Sequence, residues 1–169
     1  GKNTGLIQHV IRKIDDQADR LQQLKWLLLE NVPFLLRLDR GEGMRYLVSE
    51  LEARGFSWAY RVVDAQAFGL PQRRHRVFLL ASRTDDPRAV LLGDSVDPVF
   101  PPGGDRVAKG FYWTEGLRGL GWAVDAVPTL KGGSSVGIPS PPAVWLADGR
   151  IVTPSIQVAE RLQGFDEDW

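Results

Sequence analysis

An α/β domain joined to a small loop-rich region is the fold this sequence predicts, on three observations. Two segments repeat apolar residues at helical spacing, near Val10 and near Leu47. Short runs of aliphatic and β-branched residues follow each of them, so helices alternate with strands. Glycine and proline then crowd the second half, where residues 98–142 hold more than half of the chain's total of both, which argues against long regular elements there.

Each element has its own warrant. Leu6, Ile7, Val10, Ile11 and Ile14 stand at i, i+3, i+4 and i+7 positions, an amphipathic helix with Arg12, Lys13, Asp15 and Asp16 outside. Trp26-Leu-Leu-Leu29 is an unbroken apolar run, as in a strand buried on both faces of a parallel sheet. Glu30-Asn-Val-Pro33 ends it, because proline cannot continue a central ladder. Met44, Leu47 and Leu51 mark a second helix, closed by Gly55 after Arg54. Trp58, Tyr60 and Val62 alternate with smaller or polar residues and predict a strand; Phe68-Gly-Leu-Pro71 is a turn, and Val77-Phe-Leu-Leu80 the next strand. From about Arg83 the chain is loop-rich, with Trp113, Trp122 and Trp145 as packing anchors. A last short helix is expected from Pro154 to Gln163, with Thr153 as N-cap, Pro154 at the first helical position and Gly164 just past the end.

Composition bounds the function. A chain of 169 residues with 43% apolar and 25% charged residues can bury a core and is not disordered. Lysine plus arginine equals aspartate plus glutamate at 21 each, which excludes a uniformly basic nucleic-acid coat but leaves room for a local basic patch. With no cysteine, these residues supply neither a disulfide, nor a thiolate metal site, nor a cysteine nucleophile. His9 and His75 are too few for a histidine-built zinc site, so no metal is expected. No apolar stretch approaches a membrane span and no signal-peptide pattern opens the chain, so a soluble, intracellular protein is expected.

Three segments carry candidate chemistry. Glu30 sits at the carboxyl end of a predicted buried strand, where ligands bind open α/β sheets. Partial desolvation there would let it donate a proton or a hydrogen bond; a glutamate capping a loop in water is an equal reading. Gln72-Arg-Arg-His-Arg76 precedes another strand, and alternation would send Arg74 and Arg76 to one face and Arg73 and His75 to the other. Two guanidinium forks on one face can clamp phosphate or a carbonyl-bearing ring. Taken alone, however, the cluster reads first as a solvated basic turn. Lys131-Gly-Gly-Ser-Ser135 could cradle an anion but lacks P-loop spacing and reads as a mobile loop.

Taken in order, Glu30-Asn-Val32, Phe68-Gly-Leu-Pro-Gln-Arg-Arg-His-Arg76, Pro128-Thr-Leu-Lys131, Thr153-Pro154 and Arg161-Leu-Gln-Gly-Phe165 resemble blocks VI, VIII and IX of the DNA (cytosine-5)-methyltransferase family. Gly1-Lys-Asn-Thr-Gly-Leu6 resembles the approach to that family's block V. The resemblance covers most of residues 1–82 and 127–169. It implies part of a Rossmann-like S-adenosylmethionine-dependent methyltransferase sheet over residues 1–82, a short target-recognition region over 83–127, and a return to the catalytic domain over 128–169.

Enzymes of this family flip a cytosine from double-stranded DNA, attack its carbon 6 with a cysteine thiolate, and methylate carbon 5 from S-adenosylmethionine. The resemblance assigns Glu30 to ring nitrogen 3 and the amino group, Arg76 to the base carbonyl, and Arg74 to support of the same pocket, all preorganised electrostatic roles. It assigns Leu6 and Ile7 to an apolar shelf beside the cofactor. Gln72, Arg73 and Arg161 fall to the DNA-binding side, with Arg161 and Gln163 in a block that braces the recognition region. A bacterial or phage-infected cytoplasm is the implied setting.

The departures shape the expectation. The glycine-rich cofactor block, the Pro-Cys loop and the closing Gly-Asn block have no counterpart, and Ile156 stands where block IX often has glutamate. With Gly1 first, Met44 the only methionine and Trp169 last, the expectation is a central and C-terminal portion of a methyltransferase, inactive alone, whose N-terminal catalytic portion lies in cis or in a partner chain. The competing reading is a non-catalytic DNA-binding subunit or degenerate partner of a split enzyme.

Overall fold

The computed structural model describes residues 4–16, 25–93, 107–112, 121–131 and 141–166. Trp113, the 132–135 part of the candidate anion loop, and residues 1–3 lie outside them. Contacts divide the chain into two units, the first formed by 1–63 and 75–95, the second by 64–74 and 96–169.

In the first unit, helix α1 (Thr4–Asp16) follows the apolar spacing, and Ile7, Ile11 and Ile14 are buried. Helix α2 (Glu42–Ala53) buries Met44, Leu47 and Leu51, then ends at Arg54 with Gly55 at φ +79°, the left-handed conformation that favours glycine. The two helical stripes pack together with Leu35, Phe56, Leu79 and Ala81 as one core. An ion-pair link joins their polar sides: Arg54 Nε lies 2.7 Å from Asp15 Oδ1, and its Nη1 2.8 Å from Glu50. The Arg54 hydrogen bond holds the Asp15 carboxyl below its ordinary value.

Beside these helices stands a three-stranded sheet of β1 (Trp26–Asn31), β2 (Ser57–Asp64) and β4 (His75–Ser82), in the order β1-β4-β2. β1 and β4 are antiparallel, Glu30 opposite Phe78 and Asn31 opposite Val77. Ser57, first in β2, donates a side-chain hydrogen bond to the carbonyl of Ser82, last in β4, so those neighbours also run in opposite directions. This corrects the expectation for the Trp26–Leu29 run. β1 and β2 point the same way, but an antiparallel strand sits between them. Nor is β1 buried on both faces: Leu27 and Leu29 pack on the core while Leu28 is 59% exposed, the alternation of a strand with one covered face. In β2 the predicted alternation exists, but Ala59 is the buried residue while Tyr60 and Val62 are exposed. A short helix α3 (Pro87–Leu91), capped by Asp86, follows β4.

In the second unit, β3 (Gln72–Arg73) pairs in parallel with β7 (Val127–Pro128). A four-stranded sheet has the order β6-β5-β8-β9, from β6 (Ala123–Val124), β5 (Lys109–Phe111), β8 (Ala143–Trp145) and β9 (Ile151–Val152). β5 and β6 lie in the 98–142 segment expected to lack long regular elements, β8 and β9 just beyond it, and none exceeds three residues. A Cβ on Gly110 would lie 2.4 Å from the carbonyl oxygen of Ala126 and 2.6 Å from the Cα of Val127, so only glycine fits this backbone crossing. Helix α4 runs Ile156–Arg161, shorter than expected, and its N-cap is Ser155, not Thr153. Ser155 Oγ accepts from the amide of Val158, satisfying a donor that a helix begun at Pro154 would have turned inward; Gly164 at φ +89° ends the turn as predicted.

Candidate functional site

Glu30 and Arg76 meet through strand register. Glu30 faces Phe78 across the ladder, and Arg76 is two residues along β4, on the same side of the pleat. That diagonal suits a long side chain, and Arg76 Nε reaches Glu30 Oε1 at 2.8 Å. Arg76 Nη1 also donates to the carbonyl of His75 at 2.8 Å, which fixes the guanidinium plane. The arginine side chain is 18% exposed and the carboxylate 51%. The partial desolvation expected of Glu30 is therefore modest; its orientation comes from the ion pair.

Past the end of β1, Asn31 Oδ1 accepts from the amide of Val32 at 2.8 Å, and Pro33 starts a 3₁₀ turn, Pro33–Leu36. Behind this corner lies a cavity of about 140 Å³. Ile7 and Val10 of α1, Leu29, Leu35 and Val77 give it apolar walls, with Glu30 and Asn31 as its polar lining. Ile7 thus lines the same hollow as Glu30. Leu6 lies in α1 one position earlier. The arrangement offers a carboxylate acceptor, a guanidinium donor and an apolar recess within one strand end.

The remaining site candidates belong to the second unit. Gln72 is buried, 3% exposed, with its amide nitrogen 3.5 Å from the carbonyl of Leu162 just beyond α4. Arg73 donates through Nη1 to the carbonyl of Trp122. The Arg74 amide donates to Asp64 Oδ1 at 2.8 Å. Arg161 is exposed at the end of α4. Sequence reading missed the residues that hold this segment. Asp64 also accepts from the amide of Gln66, two residues on, an Asx pattern that was readable in the sequence. Thr129 Oγ1 donates to the carbonyl of Arg73, and Tyr112 OH to the carbonyl of Thr129 at 2.8 Å; these links span up to 56 positions and no local signal predicts them. Among the described residues no three histidine, aspartate or glutamate side chains group as a metal site, and no helix is long and apolar enough to cross a membrane.

Comparison with known proteins identifies the family. The family model for C-5 cytosine-specific DNA methylase matches residues 2–100. The Type II methyltransferase M2.BsuMI of Bacillus subtilis (strain 168) is 51% identical over 175 aligned positions, covering 100% of this chain and 45% of that protein. Type II methyltransferase M.BsuFI of Bacillus subtilis is 45% identical over 64 positions, 38% of this chain and 16% of its own. Type II methyltransferase M.MspI of Moraxella sp is 42% identical over 55 positions, 32% and 13% respectively. The chain spans less than half the length of these relatives.

Proposed function

We propose, from the premise that the chain belongs to the C-5 cytosine-specific DNA methylase family, that it supplies the base-holding half of a DNA cytosine-5 methyltransferase site. The Glu30–Arg76 pair at 2.8 Å, beside the apolar hollow, carries the reading. A cytosine turned out of double-stranded DNA presents an amino group and ring nitrogen 3 next to a carbonyl. Glu30 accepts from the amino group through one carboxyl oxygen and, in its protonated form, donates to ring nitrogen 3 through the other, while Arg76 donates to the carbonyl. Both side chains are oriented before the base arrives, so charge developing on the ring meets fixed partners. Arg74, whose amide Asp64 holds, keeps the supporting role that the family resemblance assigns to it.

S-adenosylmethionine, when bound, supplies an electrophilic methyl group. Ile7 fits one apolar wall for it, and the family resemblance assigns Leu6 to the same role. The hollow of about 140 Å³ is smaller than the roughly 300 Å³ or more of a whole small-molecule site, so these residues hold part of the cofactor. The remainder of the pocket, and the cysteine nucleophile that no residue here provides, belong to a catalytic portion in cis or in a partner chain. Gln72 acts on DNA indirectly, by fastening the arginine segment to α4, while Arg73 and Arg161 face the phosphates. Target recognition falls to residues 83–127. A Type II restriction-modification setting in a bacterial cytoplasm is the reading that the relatives' names support.

The absence of cysteine also favours a second reading, a DNA-binding subunit without catalysis. One experiment separates the two. The chain is mixed with the separately expressed remainder of its 51%-identical relative, and labelled methyl transfer to DNA is measured. Transfer that Glu30→Gln lowers far more than DNA affinity supports the catalytic reading. No transfer from a folded mixture overturns it.

A further inference from the structure

The four-stranded sheet of the second unit presents one row across all its strands: Val124, Lys109, Trp145 and Ile151 stand opposite one another. Val124, Trp145 and Ile151 are each more than 40% exposed. Phe111, two residues along β5 on the same face, is buried beneath Trp122, their ring centroids 4.9 Å apart. Trp122 is itself 40% exposed and tilts against Trp145 at 6.0 Å. The Lys109 ammonium lies 5.7 Å from the Trp145 ring centre, and the Arg73 guanidinium is anchored on the Trp122 backbone. Two outward tryptophans, seated on a buried phenylalanine and flanked by cations, are expensive to leave in water unless they meet a ligand.

We infer that this face receives a DNA base displaced from its stack, packed on Trp145 and Trp122, with Lys109 and Arg73 against the adjoining phosphates. Every base has a π-face, so an indole platform holds it without reading its edge. The cations match the charge of the backbone that must follow the base. Val124 and Ile151 extend the dry surface to the sugar on either side. The role is distinct from that of Glu30, which reads the edge of the reacting cytosine. The inference rests on the proposed action on DNA, and it names the residues that hold the opened duplex.

The test uses the full chain and two labelled duplexes, one fully paired and one with a single extrahelical adenine, whose edge lacks the carbonyl that Arg76 is proposed to hold. Binding is followed by anisotropy. Wild type is expected to prefer the bulged duplex, and Trp145→Ala to lose that preference by roughly tenfold or more. Trp145→Leu, which keeps an apolar cover over the strand row, is expected to lose it too, and it serves should the alanine variant unfold. Lys109→Gln should weaken both duplexes alike and reduce the salt slope by about one. Full retention of bulge preference in a folded Trp145→Leu overturns the inference. So does a variant with unchanged DNA binding that loses self-association in sedimentation, which would make the face a protein interface. If the tryptophan variants bind normally while Glu30→Gln still suppresses methyl transfer, the proposed function stands without this face; if wild type binds neither duplex, both fall.

Discussion

Replacing Arg76 with alanine separates a catalytic part from a structural one. The ion pair with Glu30 is short, 2.8 Å, but the carboxylate is half exposed. Water and salt screen such a pair, and exposed pairs contribute about 0–1 kcal/mol to stability. Glu30 left alone keeps its hydration, so no buried charge is stranded. Stability of Arg76→Ala, read from urea unfolding, should therefore fall by no more than about 1 kcal/mol. The reaction is another matter. Removing one preorganised donor from a site of developing charge costs about 10²–10³ in rate. Methyl transfer by the reconstituted mixture should drop by that factor, with a smaller loss in DNA affinity. Arg76→Lys sharpens the comparison, because an ammonium keeps the charge but not the fork that binds Glu30 and His75 together. It should restore stability and recover little of the rate. A stability loss of 3 kcal/mol or more, the scale of a broken buried pair, would make Arg76 a brace of the β1–β4 end. Unchanged turnover would remove it from the site.

Other outcomes follow from the packing. Leu51 of α2 is fully buried in the core shared with α1, so Leu51→Ala should cost about 2–5 kcal/mol in urea unfolding. Gly110→Ala pushes a Cβ to 2.4 Å from the Ala126 carbonyl, and should destabilise by at least about 1–3 kcal/mol because backbone, unlike a side chain, cannot swing aside. Asp15 has a folded-state pKa below its ordinary 3.8, so its contribution is present above that value and disappears as pH falls through the lower folded one. Asp86 and Asp148 are lowered in the same sense by Arg88 and Arg150. Asp15→Asn should thus flatten, without abolishing, the loss of stability measured by unfolding below pH 3.8.

The helices were legible because their evidence is local. Ile7, Ile11 and Ile14, or Met44, Leu47 and Leu51, carry their face in their spacing, and Gly55 and Gly164 mark their stops. Sheet order was not, since nothing in Trp26–Asn31 states that its neighbour lies some fifty residues away and runs the other way. Burial misled in the same place: an all-apolar run reads as doubly covered, yet Leu28 is outside. Short caps are ambiguous for a physical reason, since Thr153 and Ser155 both offer a hydroxyl and only the path of the chain selects Ser155. In the second unit, strands of two or three residues are too short to show a period at all, and close approach at Gly110 organises them.

The site was legible in its residue types and hidden in its geometry, and register explains why. Glu30 and Arg76 are 46 positions apart, and their contact depends on one alignment of β1 against β4. Side chains alternate with period two, so a slip of a single residue would carry Arg76 to the opposite face and bring Val77 out of the core. The core forbids it, because Val77, Leu79 and Ala81 are all at or below 1% exposure, and Leu79 and Ala81 pack in one cluster with the apolar faces of α1 and α2. The apolar residues of β4 therefore set the position of its arginine. Core packing, which carries no chemistry of its own, is what brings a carboxylate and a guanidinium to 2.8 Å where β1 ends.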